Sequence, residues 1–382
     1  MLAATLLIVT LLLAYANGAN DNFKGVATLY GSGTLTYRKA LTLATLGQVA
    51  GSAASVLLAD TLVKAFSGKG LVAPEISASN PFLVSVGLGA SATVMLATVL
   101  GFPISTTHAL TGALIGAATI ASSGAVDASV LGQSFFAPLL MSPVLAAVTV
   151  MPLYAAAHRF VAANGLTRDT CLCVDAPAGE PVPGPGGGAV AMREVAFAPA
   201  LSIGTMESCA RSVSYQGRFL GIGAQSMVDG LHYVSALALC FARGLNDTPK
   251  VFALLFAASL LEVHLSLALI AVVMAAGGIV AARRVAERMS KEITTMNEGQ
   301  ALMANLVASC YVIGASKLGL PVSTTHVTVG AITGIGIITG TARLGVIRNI
   351  VLSWVLTLPI AAVIAAAAYL ALTSLGASSF GA

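Results

Sequence analysis

The chain has 382 residues, 57% of them hydrophobic and only 9% charged, and its mean hydropathy is +0.91. Soluble domains carry roughly 25% charged residues, so the composition excludes a soluble or secreted domain and predicts an all-α, polytopic membrane protein. The formal net charge of +4 comes from loop lysines and arginines and implies no nucleic acid as partner.

Apolar stretches fall at about 1–35, 40–62, 82–100, 103–121, 130–157, 219–257, 258–282, 299–318, 320–340 and 346–373. A crossing needs ~20 residues, so ten spans fit. The first and sixth stretches are long and broken by glycine, which extends the range to twelve. The start, Met1-Leu2-Ala3-Ala4, lacks the basic region of a cleavable signal.

The first stretch carries Asn17-Gly18-Ala19-Asn20-Asp21-Asn22-Phe23-Lys24. Asp21 and Lys24 are three residues apart and share a helix face. They can neutralise each other and brace a broken helix. Alternatively, the aspartate serves a coupling cation or proton while the lysine helps to hold an anion. Ionisable groups at membrane depth are functional candidates by default.

The fourth stretch opens with Gly-Phe-Pro-Ile-Ser-Thr-Thr-His (Gly101 to His108). Proline stops a helix arriving from its N-terminal side but is tolerated in the first turn of a new one, and serine or threonine caps that new helix. Free backbone N–H groups and hydroxyls then converge as an anion site. His108 contacts substrate, carries protons or braces the break through a backbone carbonyl. Gly112 and Gly116 have the spacing of close helix packing.

From about 159 to 218 the chain is polar and includes Pro181-Val182-Pro183-Gly184-Pro185-Gly186-Gly187-Gly188, which predicts a cytoplasmic linker without regular structure. Cys171, Cys173 and Cys209 lie there without the further ligand pair of a zinc site, so no metal centre is expected. Cys240 and Cys310 fall in apolar runs as packing residues.

The second half repeats both motifs. Arg243-Gly244-Leu245-Asn246-Asp247-Thr248-Pro249-Lys250 echoes the first, and Gly-Leu-Pro-Val-Ser-Thr-Thr-His (Gly319 to His326) echoes the second, with Gly330 and Gly334 following. The aspartate-to-histidine interval is 87 residues in one half and 79 in the other. The chain thus reads as a first membrane repeat (1–158), a linker (159–218) and a second repeat (219–382) of five spans each. An odd number of spans inverts the second copy. Placing the N-terminus outside puts thirteen basic residues in inner loops and only Lys64 and Lys69 in outer ones, so both termini are expected outside.

Inverted repeats with broken helices mark secondary transporters, whose site lies near the midplane where the halves meet. Ser105, Thr106 and Thr107 would face Ser323, Thr324 and Thr325 across an oxyanion. On the functional alternative, Asn20, Asn246, Lys24 and Lys250 would join the anion site and Asp21 and Asp247 would serve the coupling ion or proton. On the other, the two Asp–Lys pairs only brace the broken helices. His326 shares the open roles of His108. Arg243 reads either as a further anion contact or as a snorkelling residue. Asp229, His232, Glu262 and His264 read as interfacial. No H-E-x-x-H or G-x-S-x-G arrangement suggests an enzyme. A passive anion channel is the rival, but the paired aspartates oppose anion flow.

The Gly-Ala-Asn-Asp motif (Gly18 to Asp21), its echo from Gly244 to Asp247 and the two Pro-[Ile/Val]-Ser-Thr-Thr-His motifs resemble those of the inorganic phosphate transporter (PiT) family. The resemblance covers nearly the whole chain outside the linker. It implies a homodimeric symporter of the plasma (inner) membrane that takes up phosphate with sodium ions or protons and needs no other cofactor. It implies that the six hydroxyl residues surround the anion, and that Asn20, Asp21, Asn246 and Asp247 serve the anion and the coupling cations. The family also includes sulfate permeases, so a second tetrahedral oxyanion stays open. Sodium-coupled members typically carry asparagine three residues past each aspartate, where this chain has Lys24 and Lys250. A fixed ammonium repels a metal ion and supplies positive charge to an anion, so proton coupling is expected here.

Overall fold

The computed structural model describes residues 2–58, 60–66, 71–124, 126–164, 170–175, 180–183, 190–193, 200–205, 222–258, 261–293 and 296–378. Lys69, Arg168, Cys209, Arg211, Arg218 and the glycine-rich 184–188 segment, all used in the sequence reading, lie outside the described residues. The chain divides into two compact units, Met1–Tyr154 with His232–Ala382, and Ala155–Leu231.

The helices in chain order are α1 (Leu2–Asp21), α2 (Ala27–Gly31), α3 (Tyr37–Leu58), α4 (Asp60–Phe66), α5 (Pro74–Ser77), α6 (Asn80–Val99), α7 (Thr106–Ala121), α8 (Ala128–Val130), α9 (Ala137–Ala163), α10 (Ala224–Ala257), α11 (Val263–Ala281), α12 (Arg283–Lys291), α13 (Glu298–Lys317), α14 (Thr324–Thr339) and α15 (Leu344–Ser378). Each of the ten apolar stretches holds a helix. Among the described residues, six helical stretches are long and apolar enough to cross a membrane by length and composition. α7 and α14 have only 16 residues each. At 1.5 Å per residue that is roughly 24 Å, less than a full bilayer core.

The first stretch is interrupted as expected: α1 ends at Asp21, a short 3₁₀ turn spans Lys24–Val26, and α2 follows. The sixth stretch corrects its expectation. α10 runs unbroken for 34 residues through Gly244 and Pro249. Gly244 does not end the helix; it admits the backbone of α3, because a Cβ there would overlap the Gln48 carbonyl.

Glycine contacts set the helix crossings. Gly18 on α1 lies against the Met274 backbone of α11, and Gly277 on α11 lies against that of Tyr15. Gly112 and Gly116 on α7 seat the carbonyls of Leu358 and Ala362 on α15, while Gly330 and Gly334 on α14 seat those of Pro143 and Ala147 on α9. The last helix of each half therefore packs on the Ser-Thr-Thr-His helix of the other half. Such small-residue contacts let membrane helices gain van der Waals attraction that lipid alone would not give.

In the second unit the predicted absence of regular structure is corrected. β1 (Thr170–Asp175) pairs antiparallel with β4 (Ala200–Thr205), Thr170 opposite Thr205, and with β5 (Ile222–Gly223). β2 (Glu180–Pro183) pairs with β3 (Val190–Arg193), Glu180 opposite Arg193. The fold is therefore helical in the first unit, with short strands in the second. Pro181 and Pro183 are tolerated because a two-stranded ribbon consists of edges, where proline's missing donor need not break a ladder.

Candidate functional site

The two Gly-x-Pro-x-Ser-Thr-Thr-His motifs fold alike, residue for residue. Gly101 ends α6 at a φ of 75° and Gly319 ends α13 at 70°, a left-handed conformation that glycine adopts without a Cβ clash. Phe102 N–H donates to the Ala97 carbonyl (2.8 Å) and Gly101 N–H to that of Thr98 (3.0 Å). Leu320 and Gly319 do the same to Ala315 and Ser316. This paired bond closes a helix C-terminus. Proline follows, and Ser105 and Ser323 then cap α7 and α14 by accepting from the N–H of His108 (3.1 Å) and His326 (3.2 Å). The motif is a helix stop and a helix start in eight residues.

The two first turns interlock. Thr325 donates to the Ile104 carbonyl at 2.8 Å, and Thr107 donates to the Val322 carbonyl at 3.3 Å. Lys24 Nζ donates to the same Ile104 carbonyl (2.8 Å) and to Thr325 Oγ1. Lys250 Nζ mirrors it, donating to the Val322 carbonyl (2.7 Å) and Thr107 Oγ1 (2.8 Å). Each lysine thus ties the carbonyl ahead of its own half's serine to the second threonine of the opposite half.

The aspartates sit behind the lysines. Asp21 pairs with Lys24 through Oδ1, and its Oδ2 accepts from Thr106 (3.1 Å) and Asn17 (3.1 Å). Asp247 pairs with Lys250 and Arg243, each at 3.6 Å, and accepts from Asn246 (3.0 Å) and Asn17 (3.4 Å). All four carboxylate oxygens therefore face donors. Asp21, Lys24, Arg243, Asp247 and Lys250 are each at most 3% exposed. Three cations against two carboxylates leave an excess of one positive charge, reinforced by the two helix N-termini.

Asn20 holds the first break, donating to Thr98 Oγ1 (3.0 Å) and the Phe102 carbonyl (3.0 Å) and accepting from Ile104 N–H (3.1 Å). Asn246 holds the second, donating to the Val322 carbonyl (3.3 Å) and accepting from Ser316 (3.2 Å). Both asparagines brace the loop ahead of the capping serine. The rings of His108 and His326 lie 4.4 Å apart, and His326 stacks on Trp354 at 3.8 Å. His326 Nδ1 meets the Leu139 carbonyl at 3.1 Å. His108 Nδ1 and His326 Nε2 are buried without a hydrogen-bond partner.

All fourteen site residues singled out from the sequence are buried together in the first unit. Arg243 does not snorkel: its guanidinium donates to Asn17 Oδ1 (2.7 Å) and Asn22 Oδ1 (3.0 Å). The sequence reading missed Asn17, whose amide reaches Asp21, Asp247 and Thr106. Its signal was available in the repeat register, where Asn17 stands opposite Arg243 and four residues before Asp21. His232, read as interfacial, is fully buried and bonds Thr28 at 2.9 Å. Residue position within an apolar stretch does not reveal which helix faces are covered. Glu262 and His264 are exposed, as expected. Among the described residues no cluster of His, Cys, Asp and Glu could hold a metal ion.

Comparison with known proteins agrees with these motifs. The chain is 27% identical to an inorganic phosphate transporter of Arabidopsis thaliana, named as chloroplastic, over 92% of this chain and 69% of that protein. It is 28% identical to a Haemophilus influenzae protein provisionally named a phosphate permease, over 91% of each chain. A solved sodium-dependent phosphate transporter shares the fold, with a TM-score of 0.73 over 97% of this chain and 99% of that one at 20% identity. These relatives are transporters and permeases, not enzymes. The model of the phosphate transporter family matches residues 17–365, from the first asparagine of the site into α15, the helix that carries Trp354, and this multi-pass membrane protein belongs to that family.

Proposed function

We propose that this chain imports inorganic phosphate by proton-coupled symport, with the interlocked first turns of α7 and α14 as its oxyanion grip. The observation that carries the reading is the crossed pair of lysines, Lys24 on Thr325 and Lys250 on Thr107. Two ammonium groups, the hydroxyls of Thr106, Thr107 and Thr325, and two helix N-termini converge in a region with one excess positive charge. A monoanion such as H₂PO₄⁻ balances that charge. The unpartnered nitrogens of His108 and His326 are acceptors for a P–O–H group, which sulfate lacks; that favours phosphate over sulfate.

The choice of a proton over sodium follows from the aspartates. Every carboxylate oxygen already faces a lysine, arginine, asparagine or threonine donor, leaving little ligand capacity for a metal ion. A sodium ion about 4 Å from an ammonium would also meet a repulsion of about 4 kcal/mol at an effective dielectric of 20. Asp21 and Asp247 are the proton-carrying groups in this reading, and His108 and His326 brace the grip or relay the proton. The wider architecture belongs to the same proposal: repeats at 1–158 and 219–382, inverted about the midplane and joined by a cytoplasmic linker at 159–218; both termini outside; ten to twelve spans; a homodimer in the plasma (inner) membrane.

Uptake of labelled phosphate by purified protein in liposomes tests the reading. We expect accumulation driven by an inward proton gradient, trans-stimulated exchange, competition by arsenate, and weak competition by sulfate. A strict sodium requirement without response to pH would overturn proton coupling. Absence of trans-stimulation would favour a channel.

A further inference from the structure

A second polar group is buried away from the central cluster, on the side of the first unit that carries α12. The Thr28 hydroxyl lies 2.9 Å from His232 Nε2 and accepts from the Asn305 amide at 3.0 Å. These side chains are at most 3% exposed. Asn305 Oδ1 and the hydroxyls of Thr328 and Ser290 are buried without a hydrogen-bond partner. An unsatisfied buried polar group destabilises the fold, so a cluster serving only as a packing element would not be expected to retain three.

Position ties this group to the grip. Thr28 stands four residues past Lys24, at the start of α2 across the 3₁₀ turn, and Thr328 stands three residues past Thr325 on α14 and so lies about one turn along from it. One turn further on α14, Ile332 lines a small cavity of about 10 Å³ together with Thr28, Ser32, Met289 and Ser290. That is about the size at which one water begins to fit. Polar groups therefore lead from the lysine–threonine cluster to α12.

The repeat supplies an internal control. In the register that matches Asp21 with Asp247 and Ser105 with Ser323, the counterparts of Thr28, His232 and Thr328 are Leu254, Leu6 and Leu110, and that of Asn305 is Gly87. The three leucines are at most 1% exposed and belong to one apolar cluster. A Cβ on Gly87 would lie 3.5 Å from Leu254 Cδ1, so the place of the Asn305–Thr28 contact is kept in the other half, but filled with hydrocarbon. The same framework is polar on one side of the grip and apolar on the other.

We propose that Thr28, His232, Asn305 and Thr328 are the rungs of a release path by which the oxyanion leaves the grip toward α12, and that Leu6, Leu110 and Leu254 seal the opposite side. Hydroxyl and amide groups replace part of the hydration shell that an anion loses in a narrow path, whereas leucines cannot. The proposal rests on the reading of this chain as an oxyanion transporter and assigns that transporter its exit.

Two measurements test it. For Thr28→Val combined with Asn305→Leu, phosphate uptake into liposomes should fall at least tenfold while phosphate affinity in detergent stays within twofold. Affinity falling together with uptake, or neither falling, overturns the proposal. The second measurement needs no phosphate. In a background without the native cysteines, Thr28→Cys and Leu254→Cys are treated with a membrane-impermeant methanethiosulfonate on sealed vesicles of each orientation. Thr28→Cys should react from the α12 side at least tenfold faster than Leu254→Cys reacts from the other, and equal rates overturn the asymmetry. If the two cysteine variants label as expected yet the wild type neither binds nor moves phosphate, the phosphate reading falls and the asymmetric path stands.

Discussion

Lys24 and Thr325 are 301 residues apart in the chain, yet the ammonium of one donates to the hydroxyl of the other. Lys250 and Thr107 repeat the contact at 2.8 Å across 143 residues. Neither lysine can move without disturbing the opposite half, so the two halves of the grip form one unit.

Removing either lysine strips a buried aspartate of its partner. Breaking such a pair typically costs about 3–5 kcal/mol. Lys24→Met and Lys250→Met should each lower uptake at least a hundredfold and lower the melting temperature in detergent. Lys24→Asn combined with Lys250→Asn frees carboxylate oxygens, and phosphate uptake by that variant should gain a dependence on sodium that the parent lacks.

Arg243 reads a planar pair of acceptors, Asn17 Oδ1 and Asn22 Oδ1, while facing Asp247. A lysine keeps the charge but loses the fork. Arg243→Lys should therefore retain folding yet transport at least tenfold more slowly, whereas Arg243→Ala should also lose stability. Comparing melting temperature with initial uptake rate separates the two effects.

The capping serines contribute locally. Ser105→Ala and Ser323→Ala each remove the acceptor for one first-turn N–H, at about 1 kcal/mol of stability. Ser→Thr at either position should restore most of it. Thermal unfolding of the four variants in one detergent checks this.

The glycine crossings divide sharply. Gly112→Leu or Gly330→Leu would drive a side chain into a backbone carbonyl on the crossing helix, and no monodisperse protein should survive extraction. Gly345 on α15 has open space around it, so Gly345→Ala should be neutral or stabilising by up to about 1 kcal/mol. Size-exclusion profiles report both outcomes.

Outside the membrane, the exposed Glu262 caps α11 by accepting from the N–H groups of His264 and Leu265, which hold its carboxyl below the usual range. A depressed folded pKa adds stability above the unfolded pKa and loses it as pH falls through the folded one. Glu262→Gln should flatten that acid-side decline in a melting-temperature series from pH 6 to pH 3.

Much of the site was legible because its chemistry is local. The glycine stop, the proline and the serine cap follow each other within eight residues, and each acts on its own backbone. The Asp21–Lys24 pair likewise follows from helical spacing alone. What escaped was anything set by a distant helix. His232 looked peripheral because nothing nearby in sequence shows that it meets Thr28, which in turn bonds Asn305. Gly244 looked like a break, but it makes room for the backbone around Gln48.

The sequence by itself determined that this is a many-helix membrane protein with two copies of one broken-helix element, because hydropathy, helix capping and repetition are written in contiguous residues. Only the tertiary structure decided that each lysine serves the threonine of the opposite half, that Asn17 and Arg243 join the two aspartates, and that one side of the grip is polar and the other apolar. Those facts depend on which helices cross at their glycines, and such contacts between distant segments leave no period or spacing in the chain.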